Sequence, residues 1–273
     1  MPGGLSYVAA KDPADDNALW ITEVWDSPQS HRAVGSQNER SIRATRSDLR
    51  PARAPRVKTC VTSEPTMGQS VRFWNRIAER YSKQPIADQA AYERKLEVTR
   101  QYLRRDMEVL ELGCGTGSTA IVHAPHVKHI RAIDLSSKML EIAQRKADAQ
   151  NVGNITFERT TVEALKVPDQ TLDAVLALSV LHLLDDREAV IARVHRMLKP
   201  GGVFVTSTAC LGDFMKFFKF VAPIGKFLGL LPLVKIFTVK ELECSFTDAG
   251  FVIDHQFQPA RNKAVFMVAK KAA

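Results

Sequence analysis

Apolar residues along this chain keep two rhythms, and an element begins or ends where one gives way to the other. A short apolar strand at 109–112, carrying one acid, Glu111, and the apolar run at 171–179 read as buried strands. The stretch 127–136 reads as a strand ending in a carboxylate, Asp134, and 155–165 as a strand with its exit loop. Another strand follows the turn Leu198-Lys199-Pro200-Gly201-Gly202, and two more, at 251–258 and 264–269, close the chain. The second rhythm is helical. Over 67–81 it sets Phe73, Ile77 and Tyr81 four residues apart on one face. An amphipathic helix is predicted at 92–103, with others at 118–124 and from near Ser137. From residue 67 onward the pattern is that of an α/β domain.

The strand at 109–112 runs directly into Glu111-Leu112-Gly113-Cys114-Gly115-Thr116-Gly117-Ser118. Glycine lets a backbone turn sharply and approach a ligand with no side chain between, and the start of the next helix offers free N–H groups. The dinucleotide fingerprint G-x-G-x-x-G fails here. Counted from Gly113 it needs glycine where Ser118 stands, and from Gly115 it needs glycine where Ala120 stands. No Gly-Lys-Ser/Thr follows, which removes a P-loop. Glu111 would repel a pyrophosphate but suits the cationic end of a ligand. Asp134 stands where a doubly wound sheet places the acid that accepts ribose hydroxyls. The alternative is a helix cap, made by Asp134 or Ser136.

The loop resembles the first motif of the class I S-adenosylmethionine methyltransferases, acidic-x-Gly-x-Gly-x-Gly. Other segments are similar to the small-molecule type, including the ubiquinone and menaquinone biosynthesis methyltransferases: Leu198-Lys199-Pro200-Gly201-Gly202 before the fifth core strand, and Ser179-Val180-Leu181-His182 after the fourth. Thr161 departs from the pattern, standing where the family often carries an acid for the adenine amino group. The resemblance implies a doubly wound, Rossmann-like sheet of seven strands, mostly parallel with an antiparallel closing strand, and S-adenosylmethionine as cofactor. It implies cofactor contacts at Glu111, Gly113, Cys114, Gly115, Gly117, Asp134, Leu135 and Met139, with Thr161 and Val162 beside the adenine and Ser179 beyond them. Tyr81 would reach the cofactor carboxylate, or else belong to a packed aromatic stripe. His182 is the candidate general base for an oxygen or acidic carbon acceptor. No metal is expected.

Composition narrows the class. The chain has 273 residues, 45% of them apolar, which suits a globular domain with an extension. The cysteines at 60, 114, 210 and 244 show neither metal-ligand spacing nor a disulfide framework. The opening residues lack the regions of a signal peptide, so a cytoplasmic location is expected. A net charge of +8 raises nucleic acid as a partner. No basic run is interleaved with stacking aromatics, and no Asn/Asp-Pro-Pro-Tyr-like segment follows the strand at 171–179. No specific nucleic acid is therefore expected, with RNA methylation kept as an alternative.

Three segments divide the chain: 1–50, a linker at 51–66 and a main domain at 67–273. The first, with a strand at 18–25 and a helix at 27–38 carrying His31, resembles part of an antibiotic-biosynthesis-monooxygenase-like domain, a partial α+β extension. It reads as a fusion or start-site extension. A cap insertion is expected at about 211–240. Its apolar stretch at 214–237 carries Lys216, Lys219 and Lys226, with Pro223 and Pro232, which argues against a spanning helix. It suits a small-molecule or lipid-like methyl acceptor, or peripheral contact with an anionic membrane. The expected function is methyl transfer to a small hydrophobic acceptor; the alternative from another class is a regulatory protein that binds the cofactor without transferring its methyl group.

Overall fold

The computed structural model describes residues 64–213 and 234–273, together with the backbone of four short strands before residue 26. These are β1 (Ser6–Tyr7), β2 (Ala10–Asp12), β3 (Asp15–Trp20) and β4 (Val24–Trp25), paired antiparallel as β1 with β4 and β2 with β3. The strand expected over 18–25 thus falls in two pieces. The expected helix at 27–38 with His31, the linker up to residue 63 and the cap stretch 214–233 lie outside the described residues.

Helices α1 (Glu64–Ser82) and α2 (Gln89–Gln101) lead into the main sheet. The chain then alternates through β5 (Glu108–Leu112), α3 (Ser118–His123), β6 (His129–Asp134), α4 (Ser137–Ala149) and β7 (Ile155–Arg159). It continues through β8 (Leu172–Leu178), α5 (Arg187–Met197), β9 (Leu198–Thr208), α6 (Val239–Asp248), β10 (Phe251–Phe257) and β11 (Val265–Lys271). The strand order is β10-β11-β9-β8-β5-β6-β7, with β11 antiparallel to both of its neighbours. This is the expected seven-stranded, mostly parallel sheet with one antiparallel strand. The order reverses at β5, which pairs with β6 on one side and β8 on the other. A crevice opens at such a reversal, outside the carboxyl ends of the strands.

Burial on both faces explains the continuous apolar runs. On one face Leu110, Leu112, Val175, Phe204 and Met267 pack with Ile191 and Val194 of α5 and Leu242 and Phe246 of α6. On the other Val109, Ala132, Leu176, Val205 and Val268 meet Val98 of α2 and Ala120 of α3. A separate cluster joins Phe73, Ile77 and Ala78 of α1 to Met139 and Ile142 of α4. That cluster lays α1 beside the crevice.

Two boundaries differ from expectation. Helix α1 starts at Glu64, inside the stretch read as linker. The segment Leu198-Lys199-Pro200-Gly201-Gly202 is not a separate turn but the opening of β9, whose register against β8 slips between Leu172 and Ala174. Gly201, at φ 75°, absorbs the irregularity.

Asp173 fastens the lower edge of this sheet. Its carboxylate accepts from the Glu108 N–H at 2.8 Å and pairs with Lys199 at 2.7 Å, joining the starts of β5, β8 and β9. Asp173→Ala should lower the unfolding free energy by about 1–3 kcal/mol in urea titration, while leaving ligand binding at the opposite edge intact.

Candidate functional site

The crevice begins where β5 ends. Gly113, Gly115 and Gly117 take φ of 64°, 52° and 73°, so the loop between β5 and α3 is left-handed at every second residue. A Cβ on Gly117 would stand 2.7 Å from Ala143 Cβ and 3.2 Å from Phe157, which fixes the loop tightly against α4. Gly115 faces the other way, and a Cβ there would meet nothing within 4 Å. The loop is therefore packed from behind and open in front. Lys146 of α4 reinforces the back by donating to the Thr116 and Ser118 hydroxyls, each at 3.0 Å.

Two carboxylates frame the open side. Glu111, next to the last residue of β5, is 2% exposed, and its Oε2 has no hydrogen-bond partner. Burial, reinforced by the nearby Asp134 charge, pushes its pKa up to about 8. Asp134 ends β6 and is also raised by burial, against which the N–H groups of Ser136 and Gly115 act. Its Oδ2 accepts from Gly115 at 2.9 Å and its Oδ1 from Ser136 at 2.8 Å. Each oxygen keeps a lone pair for a further donor. Cys114 is buried between them, and burial and the two acids hold its thiol well above the usual range.

The turn after Asp134 carries a capped helix. Ser136 is fully buried and caps α4, its Oγ accepting from Met139 N at 3.2 Å. Met139 lies in the α1–α4 cluster. The Leu135 carbonyl accepts from Arg159 Nε at 3.4 Å. On the adenine side expected from the sequence, Thr161 Oγ1 already accepts from Ala164 N at 3.2 Å, and Val162 is buried in the core. Beyond β8, Ser179 is exposed at φ 64°, an uncommon conformation for a residue with a Cβ, and donates its N–H to Ser207 O at 2.7 Å. His182 sits in the short 3-10 turn Leu181–Leu183, its Nδ1 buried without a partner and its pKa lowered by burial to about 4. The ring is neutral at pH 7.

The structure thus brings Glu111, Cys114, Gly115 and Asp134 within interaction range of one another, and sets Gly113 against Val180, which lies between Ser179 and the turn carrying His182. Tyr81 is 37% exposed, its ring edge-on to Trp74 at 6.3 Å. Two contributors escaped the sequence reading. Tyr92 of α2 shares a hydrogen bond with Thr119, and its hydroxyl is raised by burial and by the charge of Glu111. Asn75 of α1 meets the Ser136 hydroxyl at 2.7 Å. Asn75 lies in the helical segment 67–81 and Tyr92 opens the helix read at 92–103, but neither pattern marks these side chains as contacts. A ligand with positive charge and vicinal hydroxyls fits this donor set: an unpartnered buried carboxylate, a second acid with spare lone pairs and open space over Gly115.

Comparison with known proteins leads to the same place. A family model described as a methyltransferase domain matches residues 109–202. The demethylmenaquinone methyltransferase of Geobacillus kaustophilus is 30% identical over 173 residues, 56% of this chain and 74% of that protein. The uncharacterized methyltransferase YcgJ of Bacillus subtilis is 31% identical over 37% of this chain and 40% of its own length. Several curated relatives are, like YcgJ, spanned over only about two fifths of their length. The YcgJ structure superposes with a TM-score of 0.56 at 18% identity, covering 66% of this chain and 99% of that one. A geranyl diphosphate C-methyltransferase of Streptomyces coelicolor, solved with S-adenosylhomocysteine, gives 0.59 at 14% identity over 77% of this chain and all of its own.

The raised pKa of Glu111 makes the fold pH-sensitive. Unfolded, the carboxyl ionises near its ordinary value of 4.5; folded, it does so at about 8. Its contribution to stability is therefore complete below pH 4.5 and lost as the pH rises to 8. Glu111→Gln should leave the melting temperature unchanged at pH 4.5 and raise it at pH 8, by the equivalent of a few kcal/mol. Equal melting temperatures for the ligand-free proteins at pH 8 would show that Glu111 is not strained.

Proposed function

The chain belongs to the class I S-adenosylmethionine-dependent methyltransferases, and from that premise we propose that it methylates a small hydrophobic acceptor by in-line displacement at the carboxyl ends of β5, β6 and β8. One observation carries the reading: the buried, unpartnered Glu111 carboxylate next to Asp134 and open space. S-adenosylmethionine supplies an electrophilic methyl group on a sulfonium. Glu111 faces the ammonium end and Asp134 takes the ribose hydroxyls. The backbone at Gly113, Cys114, Gly115 and Gly117 allows close approach. Leu135 and Met139 flank the ribose, the Thr161 hydroxyl and Val162 N–H serve the adenine, and Tyr81 serves the cofactor carboxylate. Ser179 borders the space where acceptor and methyl group align, and alignment is the main thing such a displacement requires of a protein.

The acceptor class rests on the relatives and on sequence. Two proteins similar to this chain are named for demethylmenaquinone and geranyl diphosphate. The apolar, lysine-bearing sequence at 214–237 suits a lipid-like acceptor and contact with an anionic membrane surface. Among the described residues no helix is long and apolar enough to cross a membrane. A second reading, cofactor binding without transfer, is favoured by His182. A ring with a pKa of about 4 is a weak base and suits only an acceptor that is already acidic.

Isothermal titration with S-adenosylmethionine tests the cofactor. Binding should tighten from pH 6 to 8, by up to about tenfold per unit, with release of a proton as Glu111 ionises. Asp134→Ala should weaken it by at least about tenfold. Saturation by a nicotinamide nucleotide with no heat from S-adenosylmethionine would overturn the assignment.

A tritiated-methyl screen of cell extract then separates transfer from binding alone, and label in RNA would overturn the acceptor class. Once an acceptor is found, His182→Ala should lower turnover by about 10²-fold if the ring takes its proton. Because the ring is already neutral above pH 5, the wild-type turnover at saturating cofactor should show no acid limb near 6.5. Full turnover by His182→Ala would leave His182 structural.

A further inference from the structure

A chain of hydrogen bonds runs from α1 to Asp134, the acid assigned above to the ribose. Asn75, on α1, accepts at Oδ1 from the Ser136 hydroxyl at 2.7 Å and from Lys138 N at 3.3 Å. Two donors converge on one amide atom, which identifies that atom as the oxygen. Ser136 in turn caps Met139 N, and its own N–H donates to Asp134 Oδ1 at 2.8 Å. Helix α1 therefore completes the N-terminal cap of α4 from outside, satisfying Lys138 N while Ser136 satisfies Met139 N.

The fully buried Ser136 is the joint in this chain. Its hydroxyl has one hydrogen to give and gives it to Asn75. Without that acceptor the hydroxyl would have to turn elsewhere, and the turn carrying the N–H that aims Asp134 would lose its outer support. A further polar tie between α1 and α4, Glu79 to Arg145 at 2.8 Å, is exposed and lies further along both helices. It cannot act on the turn.

We propose that Asn75 is a positioning residue for cofactor binding: through Ser136 it holds the Asp134 carboxylate towards the ribose hydroxyls, so that the seating of α1 and the affinity for the cofactor are linked. The proposal rests on the assignment of Asp134 to the ribose. It predicts an effect confined to ligands that carry ribose hydroxyls, whereas a cover helix that merely packs over the site would favour all ligands alike.

The test uses the full chain, S-adenosylhomocysteine and its 2′,3′-dideoxy analogue. Asn75→Ala should weaken S-adenosylhomocysteine about tenfold, the scale of one hydrogen bond to a charged network, and leave the dideoxy analogue within about twofold. Ser136→Ala should reproduce the selectivity, and the double variant should lose little more than either single one. Asn75→Asp, which keeps an accepting oxygen, should retain the preference for the hydroxylated ligand and guards against a poorly folded Ala variant. Glu79→Ala should change neither affinity. Equal weakening of both ligands by Asn75→Ala would overturn the proposal. Failure of the wild-type protein to bind S-adenosylhomocysteine would remove the cofactor reading beneath it, and tight wild-type binding that does not distinguish the two ligands would remove only the role of Asp134.

Discussion

Two carboxyl groups of like charge lie close together at the end of β5 and β6, and much of the surrounding sequence serves to hold them there. The strands that deliver them are buried on both faces, so the environment that makes the sheet stable also makes ionised acids expensive. Asp134 is partly compensated by two backbone N–H groups. Glu111 Oε2 has no such partner. A core optimised only for stability would not keep that atom. Its retention makes sense if the missing partner is a cation that arrives from solution, and then the local strain becomes binding energy.

The glycine loop is held to suit that arrival. Its back is closed by contact of Gly117 with Ala143 and by Lys146, whose ammonium reaches two hydroxyls of the loop. Its front at Gly115 is open. Because the backbone is fixed from outside, little order remains to be imposed when a ligand enters, and preorganisation of this kind lowers the cost of binding. The α1 helix is the exception. It meets α4 through a small apolar cluster and the Asn75 bonds.

How far the sequence spoke for itself follows from which interactions were local. The loop and both acids were legible because a fixed spacing of glycines after an apolar strand leaves few alternatives, and the doubly wound sheet around them followed from the family resemblance. Helix α6 had a readable start as well, Thr238 and Glu241 forming a capping box, although no helix was expected there. Tyr81 shows the limit of periodicity. Spacings of four drift by about 40° per step on a helix of 3.6 residues per turn, so Tyr81 has rotated away from Phe73 and Ile77 and lies against Trp74, 37% exposed. Asn75 and Ser136 are 61 residues apart, and Ser179 takes its left-handed turn beside a β9 carbonyl. Contacts between distant segments leave no mark in a local pattern. At the start of β9 the Pro-Gly-Gly signal marks a real irregularity: residues 199–202 pair with neither β8 nor β11, although the strand counts them within its span.

The crevice is electrostatically lopsided, and this bears on the chemistry proposed for it. Its β5 and β6 side carries the acids, while the segment after β8 brings Val180 against Gly113, next to the left-handed Ser179 and two residues before the buried, neutral His182. On the proposed reading, the acids draw a cationic cofactor to their own side. Burial of the ring is what depresses the His182 pKa. On the same reading, that burial weakens the available base. Transfer would then depend on alignment and on the inherent acidity of the acceptor rather than on a strong base supplied by the protein.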